Sequence, residues 1–192
     1  QVMKTPKLVS TFCTFFIFLF CNAQSKNINS DTRKFIEQAD ITQIDRDFNL
    51  TAEFLSGIGE YVTFTPILVT DLKSNETVKS LQVDMAITSD GTRGNKAFYK
   101  SSWVDITEVD EFITFIETYV VPNLTTKTDD GKSVSYVFNS KELTFNFQIR
   151  GNTKKISIYL KDYGITDYQH YFWTQSQVNK IPDLLKVLKK IK

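Results

Sequence analysis

Apolar residues in this chain recur first in steps of two, then in steps of three and four, and the sequence of steps then begins again. Phe48, Leu50, Ala52 and Phe54 alternate with polar neighbours, as a half-buried strand requires. "SGIGE" (Ser56 to Glu60) reads as a turn, and Tyr61 to Thr70 as a second strand of β-branched and aromatic residues. Pro66 has no N–H to donate to a ladder, so it predicts a sheet edge or a bulge there. "LKSNET" (Leu72 to Thr77) reads as a hairpin loop. Leu81, Val83, Met85 and Ile87 alternate in the next strand, Ser89 to Lys96 reads as a loop, and Ala97 to Val104 as strand again. The period then lengthens. Thr107 is a good N-cap, and Glu108 and Asp110 lie where the helix dipole favours negative charge. Val109, Phe112, Ile113, Ile116 and Val120 follow helical spacing up to Pro122.

The pattern restarts after the turn "TDDGK" (Thr128 to Lys132). Ser133 to Asn139 reads as a strand, and Leu143, Phe145, Phe147 and Ile149 alternate in another. "RGN" (Arg150 to Asn152) turns the chain into a strand carrying Ile156, Ile158 and Leu160, and Tyr168 to Thr174 reads as the last strand. Val178, Ile181, Leu184, Leu185, Leu188 and Ile191 form the apolar stripe of a closing helix. Ser176 is placed to cap it, but Pro182 marks a first helical turn, which leaves Ser176 to Ile181 as a looser lead-in. The stretches "TEVDEFITFIE" and "SQVNKIPDLLK" align without gaps, matching Val109 to Val178, Phe112 to Ile181 and Phe115 to Leu184. A tryptophan-bearing strand precedes each, at Trp103 and Trp173. The expected class is therefore α+β: antiparallel sheet with two amphipathic helices packed on one face. A duplicated unit of three or four strands and a helix is the finer expectation, with candidate repeats 61–121 and 133–191 inside a single domain spanning 48–192.

The first residues follow other rules. Lys4 and Lys7 flank Met3, Leu8 to Cys21 is almost entirely apolar with five phenylalanines, and Ala23 is small. A basic segment, a short apolar run and a small residue make a secretory signal peptide, with cleavage expected after Ala23. The run is shorter than the roughly 20 residues of a membrane span. Cys21 invites a lipoprotein reading, but the bulky Phe20 before it does not suit the processing peptidase. Gln24 to Asp47 is polar and without sustained period, and reads as a flexible leader with one or two helical turns near Phe35 and Ile36.

Cleavage would remove both cysteines, Cys13 and Cys21, and with them any disulfide or thiolate chemistry. It would shift the formal charge from +1 to −1, which argues against nucleic-acid binding. No later run is long and apolar enough to span a membrane. The destination is then the periplasm or the medium, with an unknown protein or polymer of the cell envelope as partner.

The segments "SSWVDITEVDEF" (Ser101 to Phe112) and "SVSYVFNSKELTFNFQ" (Ser133 to Gln148) resemble a group of secreted bacterial proteins without an assigned function. Those proteins carry a Tyr-Ile-Asp-Tyr-Asp-Glu-like segment leading into a helix, then a strand pair of the type aromatic-x-Thr-Tyr-Arg-Thr-Lys. The resemblance covers Tyr61 to Lys190, with Trp103 and Thr107 departing from the aromatic and acidic residues of the pattern. It implies a strand-rich, helix-capped unit and brings no catalytic residues with it.

Candidate chemistry is sparse. His170 is the one histidine, too few for a multi-histidine metal site, and no Gly-x-Ser-x-Gly elbow accompanies it. Asp105, Glu108, Asp110 and Glu111 cluster at the first helix, where dipole and capping account for them as readily as glycoside hydrolysis does. The turn composition of Asp129 and Asp130 explains them without calcium, and "GTRGNK" lacks the Gly-Lys-Ser/Thr ending of a phosphate loop. Lys180, Lys186, Lys189, Lys190 and Lys192 suit a helix C-terminus and a solvated face, with an anionic membrane surface as the alternative. No catalytic, metal-binding or cofactor-binding residue is assigned. What stands out is aromatic content, 21 rings in the 169 residues after Ala23. In the last strand Tyr168, His170 and Phe172 share one face, and Gln169, Tyr171 and Trp173 the other. One face belongs to the core, so Tyr171 and Trp173 are the candidate partner surface. The expected function is a non-enzymatic module binding a protein or polymer. The alternatives are an apolar-ligand binder with a pocket between sheet and helices, and a hydrolase.

Overall fold

The computed structural model describes residues 29–57, 59–91, 94–161 and 171–192. Two antiparallel sheets and three α-helices are built from them. The first sheet holds β1 (Thr42–Arg46), β2 (Ala52–Leu55), β3 (Tyr61–Asp71), β4 (Thr77–Gly91) and β5 (Gly94–Asp105). Its order is β1-β3-β4-β5, with β2 also on β3. The second sheet runs β6 (Ser133–Asn139), β7 (Leu143–Arg150), β8 (Thr153–Leu160) and β9 (Tyr171–Thr174) in chain order. The class is α+β, as the alternation predicts.

Pro66 shows how the first sheet accommodates its sequence. One flank of β3 is shared by two short strands, β2 against Tyr61–Phe64 and β1 against Ile67–Asp71. Pro66 falls in the break between them. Its carbonyl accepts from the Asp47 N–H at 3.1 Å, and no strand on that flank needs the donor it lacks. On the other flank β3 pairs continuously with β4, Pro66 opposite Leu81. The proline therefore sits inside a sheet at a local edge, not at an outer border.

Helix α2 (Ile106–Phe115) continues through a π-helical turn, Ile116–Val120, and a 3-10 turn that contains Pro122. Helix α3 (Ile181–Ile191) has Pro182 in its first turn and follows a 3-10 turn, Val178–Lys180, the looser lead-in expected there. Both helices pack on the core side of the sheets. Phe112 is the hub: its ring stacks on Phe138 at 4.4 Å and meets Phe145 edge-on at 5.5 Å and Phe64 at 6.5 Å. One helical side chain thereby ties the two sheets into a single core. Phe54, Phe64, Phe112, Phe145, Phe147 and Phe172 are all fully buried, each worth about 1.5–3 kcal/mol relative to exposure.

Several expectations need correction. Phe48–Leu50 is a 3-10 turn rather than strand, and Phe48 is 75% exposed; only Ala52 and Phe54 of that alternation are core. The predicted loop Ser89–Lys96 is mostly ladder, with β4 and β5 paired out to Gly91 and Gly94. The N-cap of α2 is Asp105, two residues before Thr107, and Glu108 returns a bond to the Asp105 N–H at 3.1 Å. Within the leader, Asp31–Gln38 forms helix α1, two turns near Phe35 and Ile36 as the sequence suggests, and β1, which the sequence does not announce, pairs with β3. Duplication is not established. The aligned positions Val109/Val178, Phe112/Ile181 and Phe115/Leu184 are all buried, but Val178 lies in the 3-10 turn before α3, and α2 starts directly after β5 while α3 starts only after that intervening turn.

Candidate functional site

Alternation on the second sheet decides which side chains face outward. Leu143, Phe145, Phe147 and Ile149 of β7, Ile156, Ile158 and Leu160 of β8, and Phe172 of β9 are core. Their neighbours therefore point the other way. In register across the sheet lie Val137, Asn146, Ser157 and Trp173, and beside them Asn139, Thr144, Tyr159 and Tyr171. Tyr171 is 42% and Trp173 47% exposed, while Phe172 between them is sealed. The structure thus brings the two candidate residues to one outward face. Tyr168, Gln169 and His170 lie outside the described residues.

Tyr159 joins this pair, which residue-by-residue reading of the last strand had not found. Its ring stacks on Tyr171 with centroids 4.9 Å apart and planes 21° from parallel. Strand register alone places them opposite each other. Burial, and then the Tyr171 phenol beside it, push the Tyr159 hydroxyl above its ordinary pKa, so it stays a neutral donor at physiological pH. Ser157 is buried beneath the aromatic edge, and the Asn146 Oδ1 is buried without a hydrogen-bond partner. Val137 is exposed at the far side. The face forms a platform with aromatic rings at one edge and amides and hydroxyls through the middle.

Its charge is one-sided. Arg150 and Lys155 occupy outward positions on β7 and β8, and none of the outward positions of these four strands carries a carboxylate. Neither cation forms an ion pair among the described residues.

The acidic cluster has a different fate. Glu142, 1% exposed, accepts from Ser30 N (2.8 Å), Ser30 Oγ (2.7 Å), Arg33 Nε and Nη2 (both 2.8 Å) and Trp103 N (3.2 Å). Asp105 accepts from Asp31 N, Thr32 N, Thr32 Oγ1 and Lys141 Nζ at 2.8–3.0 Å. Glu108 takes the Lys141 and Asp105 amides. These carboxylates clasp the N-terminus of α1 to the β5–α2 corner and the β6–β7 turn. Burial works against the charged form of Asp105, but the Asp31 amide, the Lys141 ammonium and the Thr32 donors outweigh it and hold the carboxyl below its usual range. For Glu108 burial wins, and the carboxyl is pushed up. Burial likewise opposes the Lys141 ammonium, but Asp31 and Asp105 more than compensate and raise its pKa.

Arg33 also lies over the Trp103 ring, 4.5 Å from its centroid. Trp103 is opposite Gln82 and points away from Val104 and the core, so α1 covers the outer face of the first sheet. Every carboxylate of the clasp is engaged in holding the chain together. Asp110 pairs with Lys192, and Glu111 is exposed on an open depression with Thr114 and Phe115. Asp110 lines that same depression, but it and Glu111 are successive residues of one helix, not acids on opposite walls of a cleft, which is the geometry glycoside hydrolysis requires. Asp129 pairs with Lys132 within its turn. Among the described residues no group of three His, Cys, Asp or Glu side chains is placed to hold a metal ion, and no helix is long and apolar enough to cross a membrane.

Comparison with protein-family models, with curated proteins and with solved structures returned no match.

Proposed function

We propose that this protein is an exported, non-enzymatic binding module whose outward face on β7, β8 and β9 docks a polymer or protein of the cell envelope. The observation that carries this reading is the exposure of Tyr171 and Trp173 beside the stacked Tyr159, on a sheet whose other face carries the core residues Phe145, Phe147, Ile156, Ile158 and Phe172. Exposed rings on a rigid strand offer contact area at low entropic cost, because the scaffold already fixes the backbone. The space between sheets and helices is filled by phenylalanines, which favours surface docking over the holding of an apolar ligand. The engagement of Asp105, Glu108 and Glu142 in the clasp favours it over hydrolysis.

Co-sedimentation with the envelope fraction of the producing cells tests the reading. The purified chain is expected to pellet with that fraction, and the Tyr171→Ala/Trp173→Ala double variant to stay in solution with an unchanged thermal melt. Equal pelleting of both proteins would refute a role for this face.

A further inference from the structure

Resting on that reading, we infer that the platform takes an acidic polysaccharide. The argument starts from what lies between the aromatic edge and the far strand. A protein interface of comparable size concentrates apolar side chains at its centre. Here the centre is the half-buried Thr144, Asn146 and Gln148, with Ser157 buried between Asn146 and Trp173, and these separate the exposed Val137 from Trp173. Amides and hydroxyls interleaved with flat rings match a sugar, whose ring faces present C–H groups and whose rim presents hydroxyls.

Shape agrees with a polymer. The face is four strands wide, about 14 Å at the usual strand spacing, long enough for a chain of sugars to lie across. Charge selects among polymers. Among the described residues Arg150 and Lys155 form no ion pair, and the outward strand positions of this face carry no carboxylate, so a polyanion gains what a neutral glycan does not. Lys155 stands one outward position along β8 from Ser157, within reach of the same ligand that covers Trp173.

Affinity electrophoresis of the full chain decides it, with four polymers in the gel: sodium polygalacturonate (carboxylate), dextran sulfate (sulfate ester), neutral dextran, and polyglutamate as a polyanion without sugar. The expected result is retardation by at least one of the two acidic glycans and by neither control. Trp173→Ala is expected to weaken it about tenfold or more, Trp173→Phe to restore most of it, and Arg150→Gln/Lys155→Gln to weaken it and flatten its salt dependence. The choice between polygalacturonate and dextran sulfate identifies the acidic group. Equal retardation by dextran, still dependent on Trp173, would overturn the charge assignment and leave the platform standing. Equal retardation by polyglutamate would overturn the sugar. No retardation by either acidic glycan would overturn the inference while the envelope experiment still judges the platform. Retardation indifferent to Trp173 would overturn both.

Discussion

Replacing Glu142 by glutamine is the sharpest probe of the clasp. Each carboxylate oxygen faces only donors: Oε1 meets Ser30 N, Ser30 Oγ and Arg33 Nε, and Oε2 meets Arg33 Nη2 and Trp103 N. A glutamine amide must turn its NH2 toward one of these sets, so at least two hydrogen bonds become N–H against N–H contacts. Hydrogen bonds to a charged group contribute about 1.5–3 kcal/mol each, and breaking one side of a buried ion pair costs about 3–5 kcal/mol. Arg33 is partly solvated, its side chain 22% exposed, which places the expected loss toward the lower end of that range. For a chain of this length each kcal/mol moves the Tm by about 2–4 °C, so Glu142→Gln should melt roughly 10 °C early. Urea denaturation followed by Trp103 fluorescence measures the loss, since Arg33 lies on that ring. Hydrogen exchange of the Asp31, Thr32 and Arg33 amides separates local undocking from global unfolding. A loss below about 1 kcal/mol, with those amides still protected, would refute the account of Glu142 as the anchor of α1.

Three further outcomes follow from the same geometry. Asp105 is depressed in the folded state, so its contribution is present above the unfolded pKa and is lost as pH falls through the folded value. Stability should therefore decline below about pH 4, and Asp105→Asn should flatten that decline in an acid titration followed by circular dichroism; Glu108, shifted upward, works in the opposite sense. Phe112→Ala removes the ring shared by both sheets and should cost about 3–5 kcal/mol in urea, against less than about 0.5 kcal/mol for Trp173→Ala on the solvent face. Pro66→Ala leaves every β3 ladder bond in place, so calorimetry should show a change of about 1 kcal/mol or less, whereas Val62→Pro, flanked by Phe54 and Met85, should not fold stably.

Where side-chain period alone decides, the fold was legible. The alternations through β4, β7 and β8 and the stripe of α2 assign faces correctly, the α3 stripe does so except that Val187 is buried where Leu185 is expected and Leu185 is only half-buried, and the same period separates Phe172 from Tyr171 and Trp173. Tyr159 was not recognised, because its place beside Tyr171 depends on which strands pair and in what register. The clasp was illegible for a related reason. Helix α1 is short and polar, with only Thr32 fully buried, and its stability comes from bonds to Asp105 and Glu142, more than seventy positions away. Local pattern cannot show that. Capping chemistry likewise gave the corner acids an ordinary explanation at α2 and concealed their second task at α1.

That clasp also sets an order of events. A chain made from its amino end presents Ser30 to Gln38 early, but an isolated eight-residue helix has no stability of its own. Its partners Asp105 and Glu142 are added far later, and Glu142 is positioned only once β7 can begin. Helix α1, the first helix among the described residues, thus settles late, because its docking waits for the β5–α2 corner and the β6–β7 turn.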